Sequence, residues 1–120
     1  MNNNLAIEAE RALLGAILIE GTSENVIPIV SAILSVNDFN QETPHIKIYN
    51  AMLKCDLPHI VNVPRQMVDD YTWQDSDYSY LMLLIADCPN SLDYKSYAKA
   101  VKDYSNERRG FIKPRFKGAI

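Results

Sequence analysis

Glu10 and His45 are the two residues whose types and settings could support proton chemistry. A helical wheel puts Glu10 inside the apolar arc of the first helix rather than on its opposite face. A carboxylate there is either a buried functional acid or a helix-terminus or ion-pair partner, and its place in the first turns favours the second. His45 has the chemistry of a ligand or a general base. It falls in the first turn of a helix on a half-apolar face, which favours a structural histidine hydrogen-bonded near the helix start. A zinc site would need Cys55 and Cys88 together with His45 and His59, and these show none of the paired spacings of zinc loops. The plain reading is two free, part-buried thiols in a reducing compartment. Asp69, Asp70, Asp75 and Asp77 lack the spacing and central glycine of a calcium loop and read as a solvated acidic loop. The four glycines, Gly15, Gly21, Gly110 and Gly118, form no phosphate-cradling pattern, so P-loop binding of ATP is excluded for these residues. No Gly-x-Ser-x-Gly nucleophile motif is present and neither histidine has a triad context. The expectation is therefore no catalytic residue, no cofactor and no metal.

Charge is unevenly distributed. The overall −3 conceals 13 acids against 4 bases in residues 1–94, and 2 acids against 8 bases in residues 95–120. An acidic body with a basic end suggests contact with an anionic partner or with another copy's acidic body. The segment from Arg108 to Lys117 interleaves Arg108, Arg109, Lys113, Arg115 and Lys117 with Phe111 and Phe116. Bases track phosphates and aromatics stack on nucleobases, so single-stranded DNA is a candidate partner of this arm. A flexible tail, or a linker to a further domain, fits equally well. The apolar runs Ala12–Ile19 and Val26–Leu34 are too short to span a bilayer, and Met1-Asn2-Asn3-Asn4 does not read as a signal peptide. The expected location is the cytoplasm, with no membrane contact.

These residues must be carried by helices, because convincing strand patterns are absent. With 48% hydrophobic and 22% charged residues in a chain of 120, one soluble globular domain fits and a second does not. Asn4 caps a first helix through about Ile19, with Leu14, Ile17 and Leu18 as its stripe and small alanines between. Gly21-Thr22-Ser23 ends it and caps a second helix, Glu24 to Leu34, which tolerates Pro28 in its first turn. Thr43-Pro44 starts a third helix reaching about Lys54. Asn62 caps a short fourth helix through Val68. Residues 69 to 77 read as a loop, and Tyr78, Leu81, Met82 and Ile85 as the stripe of a fifth helix that Pro89 stops. Ser91 caps a last helix whose stripe is Tyr94, Tyr97, Val101 and Tyr104, and Gly110 and Pro114 mark its end. That stripe is either core or a seam between two copies. Three tyrosines where a core would favour leucine tip the reading slightly to self-association.

The order of these motifs resembles the N-terminal domain of DnaB-type replicative DNA helicases. Ile7-Glu8-Ala9-Glu10-Arg11-Ala12-Leu13-Leu14-Gly15-Ala16-Ile17-Leu18 looks like that family's opening signature. Asp38-Phe39, His45, Ile48-Tyr49 and Ala51 follow at the expected interval. Tyr80-Leu81, Pro89, Tyr97-Ala98, Val101 and Arg108 match the later part, so the resemblance runs from residue 5 to 109. Ser76-Asp77-Tyr78-Ser79 stands where the family commonly has a Gly-Gly pair. The resemblance implies an all-α fold, a small helical bundle followed by a helical hairpin. It also implies pairing into dimers, a hexameric collar with the full helicase, and contact with primase or a helicase loader. ATP and magnesium would belong to the RecA-like domain, which this sequence does not contain.

The resulting expectation is a domain over residues 1–109 and a basic arm or interdomain linker over 110–120. Its function would be that of a non-catalytic collar and interaction domain in DNA replication. Self-association is expected at Tyr94, Tyr97, Val101 and Tyr104, and electrostatic or nucleic-acid contact at Arg108, Arg109, Lys113, Arg115 and Lys117. One alternative is a stand-alone regulator, of the kind a phage could carry, that mimics the collar. Another is a small helical DNA-binding protein, against which stand the six acids and no base of residues 66–94. An enzyme is the weakest alternative.

Overall fold

The computed structural model describes residues 3–111, and every regular element among them is helical. Six α-helices follow in order: α1 (Asn3–Glu20), α2 (Val26–Ser31), α3 (His45–Leu53), α4 (Asn62–Asp69), α5 (Asp75–Ala86) and α6 (Tyr94–Arg108). Short 3-10 turns at Val36–Asp38 and Ser91–Asp93 precede α3 and α6. The helix α1 is the centre of the bundle: α6 packs most extensively on it, α5 and α3 also pack on it, and α4 packs on α3. Lys113, Arg115 and Lys117 lie outside the described residues, as does most of the expected arm.

Burial of apolar stripes supplies the driving force. Leu13, Leu14, Ile17 and Leu18 of α1 meet Ile48, Tyr49 and Met52 of α3, Leu81 and Leu84 of α5, and Val101 of α6 in one continuous core. Phe39 is buried between the helices, its ring tilted on Tyr49 at 4.7 Å between centroids. Close approach of α5 to α1 depends on Gly15: a Cβ there would lie 2.2 Å from the carbonyl oxygen of Leu84. Glycine is therefore required by proximity in the middle of a helix, where it otherwise costs about 1 kcal/mol against alanine.

Several boundaries differ from the sequence expectation, each for a local reason. The helix α2 stops at Ser31 rather than Leu34, because Ser35 leaves the helical path to form a capping box with Asp38. The acidic stretch is not wholly loop: α5 starts at Asp75, and a Gln74–Asp77 capping box fixes that start. Asp75 and Asp77 then sit at the positive end of the helix. The face expected of α5 is rotated by about one residue, or 100° of helix. Leu81 is buried as expected, but Tyr78 and Met82 are exposed, and Asp77 and Leu84 are buried in their place. Ser91 opens a 3-10 turn rather than capping α6; Asn90 caps that turn by accepting from Leu92 N at 3.1 Å. Gly110, at φ 76°, closes α6 as expected, with Phe111 N donating back to Asn106 O at 2.8 Å.

Replacing Gly15 by alanine forces α5 away from α1 through a backbone clash that no rotamer relieves. The expected cost is about 3 kcal/mol, seen as a loss of roughly 10 °C or more in melting temperature. A wild-type melting curve for Gly15→Ala would show that the close approach is not a constraint.

Candidate functional site

The polar residues singled out by type converge on one buried node. Glu10 is 1% exposed and His45 is fully buried. Glu10 comes from the middle of α1, and His45 from the first turn of α3, which Thr43 sets by accepting from His45 N. The Nδ1 of His45 lies 2.7 Å from Glu10 Oε1, and its Nε2 lies 2.6 Å from the hydroxyl of Tyr80 on α5. The other Glu10 oxygen accepts from the backbone N of Asn40 at 3.1 Å and from its side-chain amide at 2.8 Å. With Glu10 as a carboxylate, Nδ1 must donate to it, and a neutral imidazole then accepts at Nε2 from the Tyr80 hydroxyl. Burial raises the Tyr80 phenol above its ordinary value; the Arg11 charge opposes this and the Glu10 and Glu8 charges add to it.

A carboxylate–imidazole–hydroxyl line has the connectivity of a catalytic relay, but a general base needs a nitrogen within reach of a substrate proton. Both nitrogens of His45 are committed to protein groups, and the ring has no exposure. The structural readings of Glu10 and His45 are therefore the ones the geometry bears out. The node is a lock between α1, α3, α5 and the segment before α3.

A second node surrounds Asp38, itself fully buried. Its carboxylate accepts from Ser35 N at 2.8 Å, Ser105 Oγ at 2.7 Å and Lys102 Nζ at 3.3 Å. Arg109 lies 3.5 Å from the same carboxylate and donates to the carbonyl of Asn37, and Arg108 donates to the carbonyl of Asp38 at 3.1 Å. Burial alone would raise the Asp38 carboxyl; the hydrogen bonds from Ser105, Ser35 and Lys102 and the Lys102 charge outweigh it and hold it below its ordinary value. Sequence reasoning missed this node, as it missed Asn40 as a partner of Glu10 and Tyr80 as a partner of His45. The available signal was Ser35-x-x-Asp38, which has the spacing of a capping box.

The residues expected at a self-association seam lie on one face of α6. Val101 is buried in this chain's own core; Tyr94 and Tyr97 pack against that core half-buried, and Tyr104 is half-buried. The Tyr97 hydroxyl accepts from Asn90 N at 3.2 Å. Any seam with a second copy would thus use the outer rims of the tyrosines. Arg108 and Arg109 stand at the end of α6, on the Asp38 node. Cys55 and Cys88 are free and half-buried, their thiols pushed up chiefly by burial, which suits packing rather than nucleophilic chemistry.

The Glu10 node, the close contact at Gly15, and Ser35, Asp38 and Lys102 of the second node fall within one family pattern; Ser105, Arg108 and Arg109 lie just beyond it. Residues 2–103 match the model of the DnaB-like helicase N terminal domain. The chain belongs to that family. Among solved structures, the N-terminal domain of DnaB helicase from Mycobacterium tuberculosis matches with a TM-score of 0.75 at 26% identity, covering 89% of this chain and 77% of that one. No curated protein matches the sequence. The chain is a DnaB-like helicase N-terminal domain by family, with the all-helical fold of that domain among its described residues. No described helix is long and apolar enough to cross a membrane. The DnaB-like signature acquires a physical meaning here: Glu10 and His45 are the lock, Gly15 is the close contact, and Asp38-Phe39 joins the second node to the core.

Two outcomes follow. Glu10→Ala removes the acceptor of three buried donors and should cost about 3 kcal/mol, whereas Tyr80→Phe should cost about 1 kcal/mol. Denaturant melts giving equal losses for the two would break the proposed hierarchy. For Asp38, whose folded carboxyl titrates below its unfolded value of 3.8, the unfolded chain takes up the proton first. Its stabilisation is complete above the ordinary aspartate range and is lost as pH falls through the lowered folded value. Asp38→Asn should be less stable than wild type at neutral pH, with the gap closing in acid; a gap that is constant with pH would refute the assignment.

Proposed function

We propose that this chain is a non-catalytic collar and interaction domain of a replicative DNA helicase. In this reading it associates with copies of itself and docks a primase or helicase loader during DNA replication in the cytoplasm. The family match over residues 2–103 carries the reading. The structure supports it in kind, because the histidine and acids that could perform chemistry are spent on holding helices together. What such a bundle offers a partner is a rigid surface, and exposed apolar groups at Tyr78, Met82 and Leu83 of α5 give it contact area. The ATP and magnesium chemistry would reside in the RecA-like domain of the helicase, and pairing would use the rims of Tyr94, Tyr97 and Tyr104.

The test is the solution mass of the purified chain across concentration, for wild type and for Tyr94→Ser with Tyr104→Ser, with circular dichroism confirming that both remain folded. A wild-type dimer or larger assembly that falls to monomer in the folded variant is the expected outcome. A wild-type chain that stays monomeric to its solubility limit removes self-association through this face.

A further inference from the structure

We propose that the cleft between the end of α6 and residues 37–42 is a binding site for a phosphate group. The cleft is open, about 610 Å³ in volume, and is lined by Asn37, Phe39, Asn40, Gln41, Glu42, Arg108 and Arg109. Two guanidinium groups stand on one wall, and each is held by a backbone carbonyl: Arg108 by that of Asp38 and Arg109 by that of Asn37. A carbonyl fixes the orientation of a guanidinium without cancelling its charge. The one carboxylate at their base, Asp38, is shared between Lys102 at 3.3 Å and Arg109 at 3.5 Å and also accepts from Ser105 and Ser35. Several cationic groups therefore converge on a single buried acid, and positive charge is left facing the cleft.

Each guanidinium has five N–H donors in a planar fork, the geometry that pairs two-fold with phosphate oxygens. The side-chain amides of Asn37 and Gln41 lie on the same cleft and add donors. A helix C-terminus would ordinarily repel an anion through its unpaired carbonyls. Here those carbonyls are closed off: Arg109 N donates to Ser105 O, Gly110 N to Glu107 O and Phe111 N to Asn106 O. Glu42 is the acid among the lining residues, and as an exposed side chain on the rim it sets the affinity rather than the geometry. The site thus takes a phosphate group, the unit common to free phosphates and to a nucleic-acid strand, with Arg108 and Arg109 as its fork. It stands on this geometry whether or not the collar reading holds.

The decisive experiment follows the backbone amide and arginine Nε–H signals of the folded chain by NMR, titrating inorganic phosphate and, separately, a short oligothymidylate. Sodium chloride at matched ionic strength is the control. Two variants avoid the Asp38 node and so leave the fold intact, as circular dichroism would verify. Glu42→Gln should tighten phosphate binding by about threefold and Gln41→Glu should weaken it by about threefold, the size of one solvent-exposed charge interaction. Saturable shifts at Gln41, Arg108 and Arg109, moved in these opposite senses, support the site. A tighter oligothymidylate assigns the phosphate to a strand, and equal affinities assign it to a free phosphate. Shifts that do not saturate, that chloride reproduces, or that neither variant alters overturn the proposal.

Discussion

A single carboxylate organises the bundle. Glu10 sits in the central helix at 1% exposure, and an ion or dipole so placed is tolerable only when its oxygens are hydrogen-bonded. It accepts from His45 and twice from Asn40, and His45 in turn meets Tyr80. Those partners lie on α3, on the segment before it and on α5. Satisfying one buried acid therefore fixes the register of three pieces of chain against α1. An apolar core of leucines and isoleucines would drive the same collapse but would discriminate less sharply among ways of packing it.

The Asp38 node repeats this logic two residues away along the chain from Asn40. The 3-10 turn it caps follows α2, and beside Ser35 N of that turn its donors Lys102 and Ser105 come from α6, so the node ties the last helix to the beginning of the segment that carries Phe39 and Asn40. The two nodes are thus joined through three consecutive residues: Asp38 in one, Phe39 in the core and Asn40 in the other. This short stretch, the end of a 3-10 turn and the two residues after it, is buried at all three positions. A buried stretch needs its polar groups paired; the Asp38 carboxylate and carbonyl and the Asn40 N–H, side-chain amide and carbonyl all have partners.

The same economy explains why the residues with chemical potential do no visible chemistry. The cysteine thiols are pushed up by burial, His45 has no free nitrogen, and Asp70 and Asp77 are paired with Lys54 and Lys47 at 2.8 Å. The end of α6 differs: there Arg108 and Arg109, oriented by backbone carbonyls and with Arg109 also near the Asp38 carboxylate, line an open cleft.

The sequence by itself determined the class of fold, the six main helices and the stripe of α1, because these follow from local signals: periodicity, proline, glycine and capping residues. It also showed that Glu10 points inward, since the wheel position of a residue is a property of its own helix. The tertiary structure alone decided what Glu10 meets, because Asn40 and His45 are 30 and 35 residues from it, Tyr80 is a further 35 from His45, and no local rule links them. It likewise rotated the buried face of α5, where Tyr78 and Met82 are apolar enough to be core but the contact of Leu84 with Gly15 turns them outward. The tyrosine stripe of α6 was ambiguous for the same reason: periodicity identifies a face that must be covered, and only the packed chain shows that α1 covers much of it.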